Sequence, residues 1–243
     1  FIASTYKRGI QFLNIPTSLL AMVDAAHGGK TGIDFGGIKN VVGTFSDPQM
    51  IYSHVDFLKT LPKQHLKSGL AEMLKHGLIA DAEHWNHVLK HKEDLTNQLI
   101  LDSAEIKMGI VAEDPHEKGK RKLLNFGHTV GHAFESYLLQ KEVPILHGEA
   151  VAAGMIVETL ISIEMASLSF EDAQEIVDRL GDIYSHLPIP AKAIDEIMEW
   201  MMHDKKNVGG ALRFSLLESI GKSVFDVEVK PEIAKSAILQ YLK

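Results

Sequence analysis

Hydrophobic residues recur at helical spacing over most of the chain beyond residue 58. A helix is predicted from the turn at Pro62 to about residue 80, with Leu66, Leu70, Met73 and Leu74 on its apolar face. The same spacing predicts further helices over residues 82–92, 94–113, 126–140 and 147–167. This part of the chain is therefore expected to be mainly helical.

Capping residues predict where the later helices begin and end. Ser169, with Asp172 three positions later, is expected to start a helix that Gly181 closes. Another helix should follow the Pro-rich linker at 187–190 and end near residue 203, and Pro231 should open the last helix.

Short runs typical of strands lie at both ends of the chain. Residues 11–15 and 50–55 flank a glycine-rich stretch at 28–43, and residues 212–217 and 223–227 predict a hairpin. We therefore predict an α/β portion over 1–57 and a helical domain over 58–243. Because Phe1 opens directly into helix or strand material, we expect the first domain to lack its N-terminal part.

Composition excludes several classes of function. With 243 residues, 45% of them hydrophobic, the chain can bury a core, and its net charge of −7 argues against a nucleic-acid-binding surface. No apolar run reaches the roughly 20 residues that a membrane span requires. The absence of cysteine excludes disulfides and thiolate metal sites, and it fits a reducing cytoplasm.

A histidine cluster indicates a divalent-metal site. His128 and His132 are one helical turn apart, and His147 lies beyond the helix-breaking Pro144, where it could close the site. Nitrogen donors favour Zn²⁺ over Mg²⁺ or Ca²⁺. Spacing alone leaves the ligands open, since the chain has 13 histidines and many histidines are structural. The candidates are His128, His132, Glu135, His147 and Glu149, with Glu72 or Glu113 as a further carboxylate.

The glycine-rich stretch at residues 28–32 is similar to a P-loop, but Asp24 stands where the Walker A motif requires glycine. Lys30, Lys39 and Asn40 could still complete a phosphate cradle there, and an ordinary turn is the alternative.

Cations gathered near the histidines suggest a small polyanionic substrate. Lys107 lies on a predicted helix, and Arg121, four residues before Asn125, could offer its planar guanidinium to a carboxylate or phosphate. Lys75 lies three residues after Glu72, a spacing for which a surface ion pair is the default interpretation.

The order of these motifs resembles that of the 3-dehydroquinate synthases, which belong to the sugar phosphate cyclases. The matching segments are residues 8–9, 16–20, 23–24, 28–32, 39–40, 69–72 with Lys75, 124–129, 147–149 and 204–206. The resemblance implies a carbon–oxygen lyase that converts 3-deoxy-D-arabino-heptulosonate 7-phosphate to 3-dehydroquinate and phosphate. Transient oxidation by NAD, phosphate elimination, re-reduction and internal aldol closure would be the steps.

The resemblance also implies a role for each matching residue. Glu72, His128 and His147 would hold Zn²⁺ or Co²⁺, which leaves His132 for the substrate. The catalytic set would be His132, Lys75, Asp24 and Glu117. Substrate contacts would come from Arg8, Lys30, Asn40, Lys107, Arg121, Asn125 and one of Lys205 or Lys206. NAD would be touched by Thr17, Ser18, Asp24, Lys39, Phe57, Thr60 and Leu61.

The implied architecture is the C-terminal remnant of a Rossmann-like NAD-binding domain followed by a mainly α-helical metal- and substrate-binding domain with a small β-hairpin. The protein would be a cytoplasmic homodimer in which Arg8 reaches the phosphate across the interface. The family's NAD-binding glycine loop would precede Phe1, so we expect the chain by itself to bind NAD poorly.

Several residues depart from the family pattern. Ala25 and Ala26 replace two serines and are followed by His27. Ile38 replaces a glycine, and residues 64–65, Gln-His, replace an Arg-Glu pair and leave one NAD contact in doubt.

Three alternatives remain open. The first is another sugar phosphate cyclase, although Lys107 and Arg121 would be costly to bury beside a neutral substrate. The second is a metal-dependent polyol dehydrogenase, and the third is an inactive truncated scaffold.

Overall fold

The computed structural model describes residues 1–35, 38–203 and 212–243, and it leaves aside the side chains of residues 34, 38–40 and 203. Helices dominate this mixed α/β chain. The first are α1 (Ile2–Thr5), α2 (Lys63–Ala80), α3 (Ala82–His91), α4 (Asn97–Glu113) and α5 (His128–Gln140). They are followed by α6 (His147–Met165), α7 (Phe170–Ile183), α8 (Ile194–His203) and α9 (Pro231–Tyr241). Short 3₁₀ or π turns occupy Tyr6–Arg8, Ala21–Ala25, Val55–Thr60, Lys120–Asn125 and Ala191–Ala193.

The strands over the described residues form three two-stranded sheets. Strand β1 (Leu13–Asn14) pairs in parallel with β4 (Met50–Ile51), so both predicted front strands exist in shortened form. Strands β2 (Lys30–Phe35) and β3 (Ile38–Phe45) form an antiparallel hairpin, as do β5 (Leu212–Ser219) and β6 (Lys222–Val229). The C-terminal hairpin confirms the sequence prediction.

The hairpin of β2 and β3 was missed in the sequence because its glycines indicated only a loop. Gly28 and Gly29 have φ values of +84° and +65°, and they form the turn that leads into β2. A Cβ atom on Gly43 would lie 2.4 Å from the Thr31 carbonyl oxygen, so glycine is needed for the two strands to pair closely.

Helix α7 confirms one end of its prediction and contradicts the other. The Ser169 hydroxyl accepts a hydrogen bond from the Asp172 amide, as the capping pattern predicts. Gly181, however, lies inside the helix. The helix continues to Ile183 because Ile183 and Tyr184 are buried, and the Tyr184 hydroxyl donates to the Lys67 carbonyl oxygen over 2.8 Å.

Helix α6 lies between two clusters of buried apolar side chains. Val151 and Met155 pack with the cluster around α2, α4 and α7, while Val157 and Ile161 pack with that around α5, α8 and α9. Most of this helix is buried between the two clusters, and its first residue, His147, is partly buried.

The front of the chain shares the first of these clusters. Leu19, Met22 and Val23 are fully buried against it, and a Cβ atom on Gly69 of α2 would lie 2.5 Å from the Leu20 amide nitrogen. The division into two domains near residue 57 stays a prediction. Among the described helices, none is both long and apolar enough to cross a membrane.

Candidate metal centre and active site

Three helices bring a carboxylate and two imidazoles together. Glu72 lies in the middle of α2, while His128 and His147 are the first residues of α5 and α6. Glu72 Oε1 is 3.6 Å from His128 Nε2 and 3.5 Å from His147 Nε2. One ligand atom from each of the three residues lies within 4.8 Å of the others.

The other ring nitrogen of each histidine faces an acceptor. His128 Nδ1 lies 3.1 Å from the Phe126 carbonyl oxygen, so Nδ1 carries the proton. His147 Nδ1 lies 3.7 Å from Glu135 Oε2. Both rings therefore present Nε2 to Glu72, which is the arrangement expected of metal-binding histidines with oriented rings.

Glu72 is fully buried, and Lys75, which contacts its Oε2 atom, is 2% exposed. The default expectation of a surface ion pair is therefore wrong, because α2 is enclosed on all sides over most of its length. Burial by itself would raise the pKa of Glu72, but Lys75 and His147 hold it well below its usual value. No hydrogen bond from the described residues satisfies Oε1.

The two histidines carry different charges in the metal-free protein. Burial and the Lys75 ammonium lower the pKa of His128 well below its ordinary value, so this ring is neutral and its Nε2 can act as a ligand. Burial also disfavours the charged form of His147, but Glu135 and Glu72 outweigh it and raise the pKa of His147 to about 9.

This donor set fits a catalytic zinc or cobalt site, which commonly has three protein ligands and an open position. The orphaned Glu72 oxygen is a buried acceptor that a cation would satisfy. Two overlapping groups also bring their ligand atoms within 4.8 Å, and these are His132 with Glu135 and His147, and Asp24 with Glu72 and His76.

Two other carboxylates considered from the sequence are engaged elsewhere. Glu149 Oε2 accepts from the Leu146 amide over 2.8 Å and so caps its own helix. Glu113 forms an exposed ion pair with Lys120 at 2.6 Å. These contacts argue against either residue as a metal ligand.

A cavity of about 490 Å³ is lined by three of the cationic residues that are predicted to bind substrate. Its lining includes Asp24, Lys30, Lys107 and Arg121, together with residues of the β2–β3 hairpin. Lys107 Nζ donates to Asp24 Oδ1 over 2.7 Å, and both residues lie at the junction of α4 with the Ala21–Ala25 turn. Burial would raise the pKa of Asp24, but Lys107 together with Lys75 outweighs burial and lowers that pKa.

Glu117 joins two of the predicted substrate-binding residues. Its Oε2 atom contacts the Lys30 ammonium, and its Oε1 atom accepts from Asn125 Nδ2 over 2.7 Å. Glu117 therefore lies beside the Lys30 ammonium, and its role in the site stays a prediction. Arg121 is less available than expected, since Nη1 donates to the Pro115 carbonyl oxygen over 2.6 Å and Nη2 to that of Gly28 over 2.9 Å.

His76 belongs to this region but was not singled out in the sequence. It is fully buried, its Nδ1 is 2.9 Å from Ser103 Oγ, and its Nε2 is 3.9 Å from Asp24 Oδ1. Burial, followed by the Lys75 charge, lowers the pKa of His76 to about 3, so the ring is neutral. The sequence signal that could have identified His76 is its position directly after Lys75.

Two family models together cover most of the chain. The model described as 3-dehydroquinate synthase C-terminal matches residues 69–207, and that described as 3-dehydroquinate synthase N-terminal matches residues 1–68. The 3-dehydroquinate synthase of Parabacteroides distasonis is 44% identical over all of this chain and 69% of its own length. The chain belongs to the 3-dehydroquinate synthase family.

Solved structures of sugar phosphate cyclases share the fold of this family member. One is ValA, a 2-epi-5-epi-valiolone synthase from Streptomyces hygroscopicus subsp. jinggangensis 5008, with NAD⁺ and Zn²⁺ bound. It is 27% identical with a TM-score of 0.86, over 98% of this chain and 68% of that one. The other is a 2-deoxy-scyllo-inosose synthase complexed with carbaglucose-6-phosphate, NAD⁺ and Co²⁺, 28% identical with a TM-score of 0.84 over the same shares.

The chain spans about two thirds of the length of the 3-dehydroquinate synthases it matches, 69% of one and 65% of another. The resemblance noted in the sequence is thereby confirmed as family membership.

Five of the seven NAD-binding residues expected from the family lie on segments beside α2. Thr17, Phe57 and Thr60 are exposed, while Ser18 and Leu61 are half-buried. The segment with Thr17 and Ser18 leads to Leu19 and Leu20, which Gly69 of α2 approaches closely. The other three residues immediately precede the start of α2.

Other family residues are exposed or lie outside the described part. Arg8 is exposed and has a φ of +68°. The side chains of Lys39 and Asn40 are not described, although both residues are in β3. Lys205 and Lys206 lie outside the described residues.

The departure from the family pattern at residues 25–27 has a structural counterpart. Ala25 ends the π turn, and His27 is 8% exposed, with Nε2 2.7 Å from the Met22 carbonyl oxygen. Burial lowers the pKa of His27. This contact of the His27 ring stabilises the Ala21–Ala25 turn, which carries Asp24.

Proposed function

We propose that the protein containing this chain is a 3-dehydroquinate synthase that uses NAD and a divalent metal. It would convert 3-deoxy-D-arabino-heptulosonate 7-phosphate to 3-dehydroquinate and phosphate. The observation that carries the proposal is the convergence of His128 and His147 on the orphaned Glu72 oxygen, near a cavity lined by Lys30 and Lys107. The 44% identity to a protein of that name supports this activity over those of the cyclases at 27–28%.

Glu72, His128 and His147 would hold Zn²⁺ or Co²⁺, the ions named with the two solved relatives. When bound, the ion would supply a Lewis acid that polarises a substrate hydroxyl. His132 is left for the substrate, and its ring lies 5.2 Å from that of His128. Lys75 contacts Oε2 of Glu72 and keeps this carboxyl group ionised, while the two histidines face Oε1.

The cations of the cavity would bind and orient the anionic groups of the substrate. Asp24 fixes the Lys107 ammonium, and Glu117 aligns Lys30 with Asn125. Holding one flexible substrate through several steps is the main contribution of such residues to the rate. Arg121, Asn40 and one of Lys205 or Lys206 complete the proposed substrate set.

NAD would accept a hydride and return it within one turnover. The proposed contacts are Thr17, Ser18, Asp24, Lys39, Phe57, Thr60 and Leu61. We propose further that residues 1–57 are the C-terminal remnant of a Rossmann-like domain and that 58–243 form the metal- and substrate-binding domain. A homodimer, with Arg8 reaching the partner's phosphate site, and a cytoplasmic location are part of the same proposal.

The activity test uses the full-length protein with catalytic amounts of NAD. We expect 3-dehydroquinate and free phosphate in equal amounts, loss of both after metal removal, and recovery with Zn²⁺ or Co²⁺. Net accumulation of NADH would indicate a polyol dehydrogenase instead. Turnover only of a phosphorylated keto sugar without a carboxylate would indicate another cyclase, and metal binding without turnover of either substrate would indicate an inactive scaffold.

Two matched variants on α5 test the ligand set. His128→Ala should lose bound metal, whereas His132→Ala should keep the metal and lose turnover. The opposite result would favour the overlapping group of His132, Glu135 and His147 and would refute our ligand assignment.

A further inference from the structure

Helix α5 begins at the metal centre without a side-chain cap of its own. Gly127 is its N-cap residue, with a φ of +78° and no side chain to accept a hydrogen bond. The first N–H groups of a helix have no intrahelical carbonyl partner, and leaving them unpaired in a buried place is costly. These groups flank His128, the first residue of the helix.

The missing cap comes from α6. Glu158 is fully buried, and its Oε2 accepts from the Gly127 amide over 2.7 Å while Oε1 accepts from the Val130 amide over 3.1 Å. One carboxyl group therefore accepts hydrogen bonds from backbone amides on both sides of His128. A carboxylate at this end of a helix also interacts favourably with the helix dipole.

Close backbone contact allows Glu158 to reach this position. A Cβ atom on Gly154, one turn before Glu158, would lie 1.9 Å from the Gly127 carbonyl oxygen and 2.7 Å from the Gly131 amide nitrogen. Only glycine permits α5 to approach α6 so closely there.

The same helix carries His147 as its first residue. Helix α6 thus supplies one imidazole directly, and through Glu158 it fixes the start of the helix that carries the other. Because Glu158 lies about 16 Å along the helix from His147, it does not touch the metal position itself.

We propose that Glu158 is a positioning residue for the metal centre, which sets the place of His128 relative to His147. This inference rests on the metal centre of the proposed function. The alternative is that Glu158 contributes only to the stability of the fold. A positioning role predicts a change in metal affinity and ligand geometry, whereas a purely stabilising role does not.

The test compares Glu158→Gln and Glu158→Asp with wild-type full-length protein. Gln places an amide group opposite one of the two N–H donors, and Asp keeps the charge but shortens the reach. The control is Glu164→Gln, because Glu164 is an exposed residue of the same helix. Each protein is stripped of metal and titrated with Co²⁺ against a competing chelator, and its visible Co²⁺ spectrum and metal-free melting temperature are recorded.

We expect both Glu158 variants to bind Co²⁺ about 10- to 100-fold more weakly than wild type, with an altered spectrum, since partners that orient metal ligands typically have effects of this size. Glu164→Gln should match wild type. A lower melting temperature with unchanged Co²⁺ affinity and spectrum would overturn the proposal.

Two further results keep the inference testable if Glu158→Gln does not fold. Glu158→Asp then decides by the same criterion. In wild-type protein, hydrogen exchange at the Gly127 and Val130 amides should slow when Co²⁺ binds, and unchanged exchange would overturn the proposal. Failure of the wild type to take up Co²⁺ would instead refute the metal centre and this inference with it.

Discussion

Replacing His76 by Gln should change how the stability of the metal-free protein depends on pH. Burial, assisted by Lys75, lowers the pKa of His76 from 6.5 to about 3. Between these values the unfolded chain binds a proton at His76 that the folded chain does not bind. The free energy of unfolding therefore falls as the pH falls through this window.

The linkage relation gives the size of the effect. Lowering the pH from about 7 to about 4.5 should cost about 2.5 kcal/mol of stability through His76 alone. Gln does not titrate, and its amide can still bond to Ser103 in place of the imidazole Nδ1. Other groups titrate in the same range, but they are common to both proteins and largely cancel in the difference.

Urea unfolding of the metal-free proteins, followed by circular dichroism at a series of pH values, measures this difference. The stability of His76→Gln should decline less than that of wild type by about 2.5 kcal/mol over the window. His87→Gln is the matched control because His87 is exposed on α3. Parallel profiles for wild type and His76→Gln would refute the argument that a buried neutral imidazole controls this part of the acid response.

Four further substitutions test packing, capping and the substrate site. Gly154→Ala should destabilise by about 1–3 kcal/mol or more because its Cβ would meet backbone, whereas Gly109→Ala, with open space around it, should stabilise α4 by about 0.5–1 kcal/mol. Equal melting temperatures for these two variants would contradict the close helix contact. Ser169→Ala should cost about 1 kcal/mol in urea unfolding through loss of the cap, and no change would argue against it. Lys107→Gln should leave metal content unchanged and lower kcat/KM by about 10- to 100-fold, through loss of a charged contact to substrate. Unchanged kinetics would remove Lys107 from the proposed site.

Local sequence patterns predicted the helices well because they depend on neighbouring residues. Apolar spacing located α2 to α6 within a few residues, and Ser169 and Pro231 marked the starts of α7 and α9. The errors arose where distant contacts override local preference. Gly181 does not end α7, because the residues after it are held in the core, and the glycines near β2 and β3 permit a hairpin that spacing did not suggest.

The candidate site shows the same division. The sequence supplied the histidines, and the family resemblance selected Glu72 from several carboxylates. The structure then placed Glu72, His128 and His147 together and showed Glu149 and Glu113 engaged elsewhere. It also reversed the expectation of a surface ion pair for Lys75.

The sequence by itself determined the family, the helical character of the chain beyond residue 58 and the residue types available for chemistry. These follow from motifs and periodicities that are properties of short segments. Only the tertiary structure decided how closely Glu72 approaches the two imidazoles, how far Lys75 and His76 are buried, and that Glu158 caps the helix of His128. The physical reason is that burial and through-space electrostatics depend on the crossing of α2, α5 and α6, and residues distant in the chain meet only there.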